Sequence, residues 1–249
     1  MPAKRDKIIR FCNEYLKVSD FEDYCYNGLQ IEGKEDVGKI VTGVSLSKKL
    51  IEAAIGKKAD MIMVHHGFFM NEMPSPFRLS GYRKNRVKEL LENDLNLVGY
   101  HLPLDAHPVI GNNMSLCKIL GIKKTKPFSY GFIGEIDKPT DFEKFKKHVE
   151  VQLCKQSFSI AAGKKKIKKV AIVSGGDSPD FEEAYLAGAD VFLTGDIRED
   201  VVRKIEEVGI NFINAGHYNT EKEGIKNLGE MIAKNFKIEV EFVDVPNEI

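Results

Sequence analysis

Residues 59–68 read ADMIMVHHGF: four apolar side chains run directly into two adjacent histidines and a glycine. A continuous apolar run of that length, with a β-branched valine at its end, predicts a strand buried on both faces. Polar groups that follow such a strand lie at its carboxyl end, where open α/β sheets bind ligands. Side chains alternate along a strand, so His65 and His66 would face opposite ways inside it. At its end the chain turns, and Gly67 lets backbone approach a ligand closely, so both imidazoles can serve one site. Three other segments carry partners of similar chemistry: YHLPLD at 100–105, LTGD at 193–196 and AGHYNTE at 215–221.

Working outward, KIVTGVSL at 39–46 reads as a strand that opens into a helix over about 47–57, with Ser47 as its N-cap. With the strand at 59–65 this makes a right-handed βαβ unit with parallel strands. Before it, Ile8, Ile9, Phe11, Cys12, Tyr15 and Leu16 recur at helical spacing over 5–16, and YNGLQIEG at 26–33 reads as a turn and a short extended piece. After it, FFMNEMPSPFRLSGY at 68–82 has two prolines and no periodicity, which predicts a loop beside the site. A helix over about 82–92 and a strand at 96–100 follow. Pro103 and Pro108 then argue that HLPLDAHP is loop, and 112–120 reads as a helix closed by Gly121. The middle differs in character: a strand at 129–136, a helix from Thr140-Asp141 to about Cys154, and an extended SFSIAAG.

From 169 the first part plays again. KVAIVSGG, a helix over SPDFEEAYLAG, ADVFLTGD, a helix over 199–209 and INFINAGH match the earlier order at an offset of about 130 residues. LVGYHLPLD matches INAGHYNTE, setting His101 and Asp105 opposite His217 and Glu221. The last helix spans about 221–235, and IEVEFV at 238–243 is a strand. The expected fold is α/β (α+β): two related lobes with mixed or parallel sheets, facing each other across a cleft for two metal ions. Residues 1–125 would form the first lobe and 126–249 the second, with the final strand free to pack back on the first.

Composition bounds the function class. At 249 residues, 43% hydrophobic and 30% charged, the chain has the makeup of a globular protein with a sizeable core. Lys plus Arg and Asp plus Glu both number 37, so the zero net charge gives no hint of a nucleic-acid partner and leaves only a local basic patch as a route to one. The one basic run, KKKIKK at 164–169, lacks interleaved aromatics and reads as a solvated turn. No apolar stretch is long enough for a membrane span, and MPAKRDKIIRF has no apolar core of a signal peptide, so a cytoplasmic location is expected. Cys12, Cys25, Cys117 and Cys154 are scattered and read as free buried thiols.

Four of the six histidines, His65, His66, His101 and His217, fall at predicted strand ends, whereas His107 sits in a Pro-rich loop and His148 on the polar side of a helix. Imidazoles with Asp105 and Glu221 make a donor set for Zn, Fe, Mn, Co or Ni, and the lack of thiolates argues against a structural zinc knot. Two such ions need a bridging anion, and a bridging water would be the reactive group. Blander readings exist for each group: His217 and Glu221 as a solvent-exposed i, i+4 pair, Asp105 as a helix cap, Asp196 as a turn residue.

YNGLQIEG, VHHG at 64–67, HLPLD, LTGD and AGHYNTE together resemble the NIF3-like family, whose members are also called GTP cyclohydrolase 1 type 2 homologues. The resemblance spans nearly the whole chain in family order. It implies two related α/β domains around a dinuclear metal centre and a ring-shaped homohexamer. It places the ligands on His65, His66, Asp105, His217 and Glu221, and makes His101 a catalytic or orienting histidine. Other members have proline at Gly67 and often Trp-Asp where Tyr24-Cys25-Tyr26 stands here. The implied activity is metal-dependent hydrolysis of a small-molecule substrate, a purine nucleotide such as GTP. A non-enzymatic metal-binding scaffold or regulatory interaction protein is the alternative. No Gly-rich loop with Lys-Ser/Thr is present, which excludes a P-loop enzyme.

Overall fold

The computed structural model describes residues 1–71, 73 and 75–247; positions 72 and 74 of the expected 68–82 loop lie outside the described residues. In chain order the elements are β1 Ala3–Lys4, α1 Arg5–Leu16, β2 Gly28–Ile31, β3 Asp36–Val37, β4 Lys39–Ser45, α2 Lys48–Gly56, β5 Met61–His66, α3 Gly81–Glu92, β6 Asn96–Gly99 and α4 Leu102–Asp105. There follow α5 Asn112–Ile119, β7 Ile122–Phe128, β8 Gly131–Asp141, α6 Phe142–Leu153, β9 Phe158–Ala161, β10 Lys166–Ile172, α7 Phe181–Leu186 and β11 Val191–Thr194. The chain closes with α8 Glu199–Val208, β12 Asn211–Asn214, α9 His217–Thr220, α10 Lys222–Phe236 and β13 Glu239–Phe242. Among the described residues no helix is long and apolar enough to cross a membrane.

Two compact units result, Met1–Leu104 with Ile225–Pro246, and a second built on Asp105–Gly224. These bounds correct the expected division at 125/126. Residues 112–128 belong to the second unit because α5 packs on its core and β7 pairs with β8. Residues 225–246 belong to the first because β13 pairs in parallel with β4, and Gly229 lets α10 lie against Thr42 and Val240.

The first unit holds a five-stranded sheet in the order β13-β4-β5-β6-β2, parallel except for β2. Met61 to Val64 are fully buried, which is why this strand reads as an unbroken apolar run. One face, with Val41, Ile62, Val64 and Leu97, packs on Leu50, Ile51 and Ala54 of α2 and Leu90 of α3. The Ser47 hydroxyl caps α2 by accepting the Leu50 N–H at 3.2 Å.

The second unit holds a six-stranded sheet, β7-β8-β10-β11-β12-β9. Its central strands alternate: Val170, Ile172, Val191, Leu193 and Ile213 face α5 and α6, while Ala171, Val173, Phe192 and Phe212 face α7 and α8. The β7–β8 hairpin extends beyond the expected strand at 129–136. Its edge strand IKKTKPF is largely exposed and contains Pro127, so it lacks an apolar pattern. KKKIKK is not wholly a turn: Lys166–Lys169 lie in β10, while Lys164 and Lys168 pair with Asp190 and Glu135. Cys154 is exposed, in contrast to the other three thiols.

The repeat is visible in side-chain detail. In the first unit, Asp60 accepts the N–H groups of Gly38 and Lys39 and pairs with Lys34, while Asn96 accepts the Gly33 N–H and donates to the carbonyls of Lys34 and Asp60. In the second, Asp190 accepts from Lys168 and Lys169 and pairs with Lys164, while Asn211 accepts from Gly163 and donates to Lys164 and Asp190. Gly33, Lys34 and Asp60 become Gly163, Lys164 and Asp190 by one shift of 130. Both units therefore run helix, antiparallel edge strand, then three parallel strands alternating with helices.

Burial pushes the Asp60 and Asp190 carboxyls up, but the lysine and backbone donors outweigh it and hold both below the ordinary value. Such a depressed group contributes stability above the unfolded carboxyl pKa, near ~4, that is lost as pH falls through the folded one. Asp60→Ala and Asp190→Ala should each cost about 2–4 kcal/mol near neutrality, and less in acid, in urea titrations.

Candidate metal centre

In the first unit, His65 and His66 are the last two residues of β5 rather than residues beyond it, because Ser45 still pairs with His66. Their rings nevertheless lie 4.6 Å apart between centroids, tilted by 53°. A Cβ on Gly67 would collide with the Gln30 amide, whose Oε1 accepts the Phe68 and Phe69 N–H groups at 2.6 and 3.1 Å. His101 joins the pair, its ring 5.0 Å from His65 and 5.5 Å from His66. It precedes α4, a short helix where loop was expected; Pro103 falls in its first turn, where a missing N–H costs nothing.

Each imidazole is anchored through Nδ1. His65, 1% exposed, meets the Tyr100 carbonyl at 2.8 Å, and His101 meets Asp23 Oδ1 at 2.9 Å. A carbonyl or carboxylate oxygen only accepts, so both Nδ1 atoms carry the proton and both Nε2 atoms keep a lone pair. His66 Nδ1 lies 3.0 Å from the Ser45 hydroxyl. Each of the three rings offers a ligand atom within 4.8 Å of the others.

In the second unit, Asp105 is 5% exposed, and its Oδ1 accepts from Asn112 Nδ2 at 2.9 Å and Ser174 Oγ at 3.0 Å. Asn112 is itself fixed by the Gly224 N–H at 2.7 Å, and Asn113 Oδ1 takes the Ser174 N–H at 2.7 Å. His217 donates Nδ1–H to Asp196 Oδ2 at 3.2 Å and presents Nε2 to Glu221 Oε2 at 3.2 Å. Burial alone would lower the His217 pKa; the bonds to Asp196 and Glu221 override it and carry it up to about 10. Asp177 shows the reverse, pushed up to about 6 by burial and then by Asp180, Asp105, Glu221 and Asp196. So much buried negative charge favours a cation.

Counted from the matched residues Asn96 and Asn211, His101 comes five positions on and His217 six, so the second repeat holds one extra residue before its histidine. Asp196 is the hydrogen-bond partner of His217 and lies in the irregular stretch between β11 and α8. His107 Nδ1 accepts the Val109 and Ile110 N–H groups in its loop, and His148 is exposed. Asp23, Asn27, Ser45, Asn112 and Ser174 escaped the sequence reading; the amides of NGLQ and GNNM gave a faint signal and the two serines gave none.

The donors fit a dinuclear centre. Anchored Nδ1 atoms leave Nε2 for a metal, the usual outer-shell arrangement for ligating histidines, and one oxygen of Asp105 is already held in place. In the first unit three imidazoles offer ligand atoms within 4.8 Å of one another, and in the second His217 meets the carboxylates of Asp196 and Glu221 at 3.2 Å. That set accepts several divalent metals and selects none.

Fold and donors together define a two-lobed α/β metal-binding protein. The sequence pattern of the Duf34/NIF3 (NGG1p interacting factor 3) family matches residues 3–248, and the chain belongs to that family. The "GTP cyclohydrolase 1 type 2 homolog" of Haemophilus influenzae is 41% identical over 248 residues, covering 97% of this chain and 98% of that protein. A solved structure described as "protein ybgI, unknown function" is 37% identical with a TM-score of 0.94, covering 99% of this chain and 100% of its own. The crystal structure of TTHA1606 from Thermus thermophilus is 31% identical with a TM-score of 0.91, again over 99% and 100%.

Proposed function

We propose that the chain is a dinuclear metal-dependent hydrolase in which His65, His66, Asp105, His217 and Glu221 hold two divalent ions and His101 transfers a proton. The observation that supports this reading is the shared Nδ1 anchoring, which leaves Nε2 of His65, His217 and His101 as the nitrogen for ligation or proton exchange. Bound ions would supply Lewis acidity and a water acidic enough to attack near neutral pH. Asn112 and Ser174 aim the Asp105 carboxylate, and Asp196 aims His217. His101 exchanges a proton at Nε2 with the attacking or leaving group, a role suited to an imidazole. The name shared by the relatives supports a purine nucleotide such as GTP as substrate.

A ring-shaped homohexamer in the cytoplasm completes the reading; zero formal charge offers little repulsion against assembly. The test is metal analysis and a nucleotide-wide turnover screen on protein reconstituted separately with manganese, iron, zinc, cobalt and nickel. Two ions per chain with turnover of one nucleotide is expected. Two ions with no turnover under any metal would overturn the enzyme in favour of a metal-stabilised scaffold.

A further inference from the structure

We infer that Asp23, assisted by Asn27, is the positioning residue for His101, holding its imidazole with the proton on Nδ1 and the lone pair on Nε2. The inference rests on the reading of His101 as the proton-transfer group. The Asp23 side chain is 3% exposed although it lies between the exposed residues Glu22 and Tyr24. Its Oδ1 accepts the Cys25 N–H and the His101 Nδ1–H, and its Oδ2 accepts the Asn27 Nδ2–H and the Leu102 N–H, all at 2.9 Å. Four donors take up the acceptor sites of an ionised carboxylate.

That saturation decides between two roles. Asp23, Cys25 and His101 offer donor atoms within 4.8 Å of one another, which on distance alone would suit a further metal ion. A carboxylate already accepting four hydrogen bonds has no lone pair to give, so Asp23 orients rather than ligates. Burial pushes its carboxyl up, but hydrogen bonds from His101, Asn27 and Cys25 prevail and bring it down to about 2. Asp23 is therefore ionised at any working pH and steadies the positive charge when His101 accepts a proton.

Asn27 completes the clamp, its Oδ1 accepting the His101 N–H at 2.7 Å. Three consecutive residues thus each spend a backbone group on this site: the Tyr100 carbonyl on His65, the His101 amide on Asn27, the Leu102 amide on Asp23. Ring and backbone of His101 are fixed together, and Nε2 is left facing the Tyr24 hydroxyl at 3.3 Å. In the reaction a proton moves from the attacking water to Nε2 or from Nε2 to the leaving group, while the Nδ1 proton stays in place.

Asp23→Asn discriminates. With its amide oxygen toward Asn27 and Leu102, only the Cys25 N–H is left facing an NH2, whereas the opposite flip would strand two donors. The NH2 then faces His101 Nδ1 and forces the proton to Nε2. The zinc-loaded chain, labelled with 15N-histidine, reads this directly, with His101 signals assigned by their loss in His101→Gln. The wild type should show Nδ1–H, and Asp23→Asn should show Nε2–H with two zinc ions retained. On the nucleotide found by the screen, kcat should fall on the order of 10²-fold or more while KM holds. A wild-type Nε2–H form, an unchanged tautomer in Asp23→Asn or the loss of a zinc ion from it would each overturn the assignment. The tautomer readout needs no turnover, so a failed screen sinks the hydrolase reading and leaves this result standing or falling alone.

Discussion

Asparagine in place of Asp105 is expected to strip metal from the protein without unfolding it. Asp105 Oδ1 accepts from Asn112 and Ser174, and an amide oxygen can accept the same two bonds in the same place. The weaker, uncharged acceptor costs about 1–2 kcal/mol. Part of that is offset in metal-free protein, because Asp105 is among the charges that push the Asp177 carboxyl up. The other amide atom becomes an NH2, which has no lone pair for a metal. Losing an orienting partner of a ligand weakens metal binding roughly 10–100-fold, so losing the ligand itself should exceed about 10²-fold. Ser174→Ala, which removes an orienting group only, should fall inside that smaller range. Equilibrium dialysis against zinc and a thermal melt of the metal-free forms check both; an Asp105→Asn protein that kept two tightly bound ions would remove Asp105 from the ligand set.

The contrast between Asp105 and Ser174 also marks what the sequence can tell. Met61 to Val64 announce a buried strand because each of them is covered on both sides, and a local run records that fact. His217 and Glu221 are legible for a similar reason, since four positions of spacing bring them together. The repeat was legible from strand order, and Asp60 with Asp190 gives it a physical cause. The orienting groups were not. Asp23 lies 78 positions from His101, and Ser174 lies 69 from Asp105, so no local pattern ties either to its partner. Short elements failed differently: α4 and α9 are single turns of four residues, too brief for helical periodicity. The misplaced boundary at 125/126 has another origin, because only packing and pairing partners reveal that α5 and β7 belong with the second sheet.

The glycine of LTGD carries the other large expected effect, though the sequence drew the eye to Asp196 beside it. A Cβ on Gly195 would lie 2.7 Å from the Gly175 carbonyl oxygen, 2.7 Å from the His217 Cα and 2.7 Å from Thr220 Oγ1. Two of these are backbone, and the third is fixed. Thr220 Oγ1 accepts the Gly175 N–H at 3.1 Å and donates to the His217 carbonyl at 2.9 Å, while Gly195 N–H bonds the Gly175 carbonyl at 2.8 Å. Room for a methyl can come only by moving α9, which carries His217, or the Ser174–Gly176 turn. Gly175 adopts φ +72 and lies so close to Glu221 that a Cβ on it would strike the carboxylate, so either shift disturbs a donor. Gly195→Ala should therefore cost about 1–3 kcal/mol in chemical denaturation and weaken metal binding as well. Gly56→Ala is the control: it ends α2 with nothing within 4 Å of the added carbon, and alanine there should be neutral or stabilise by up to about 1 kcal/mol. If Gly195→Ala melted with the wild type and bound both ions equally well, this close packing would not be what sets His217 against Glu221.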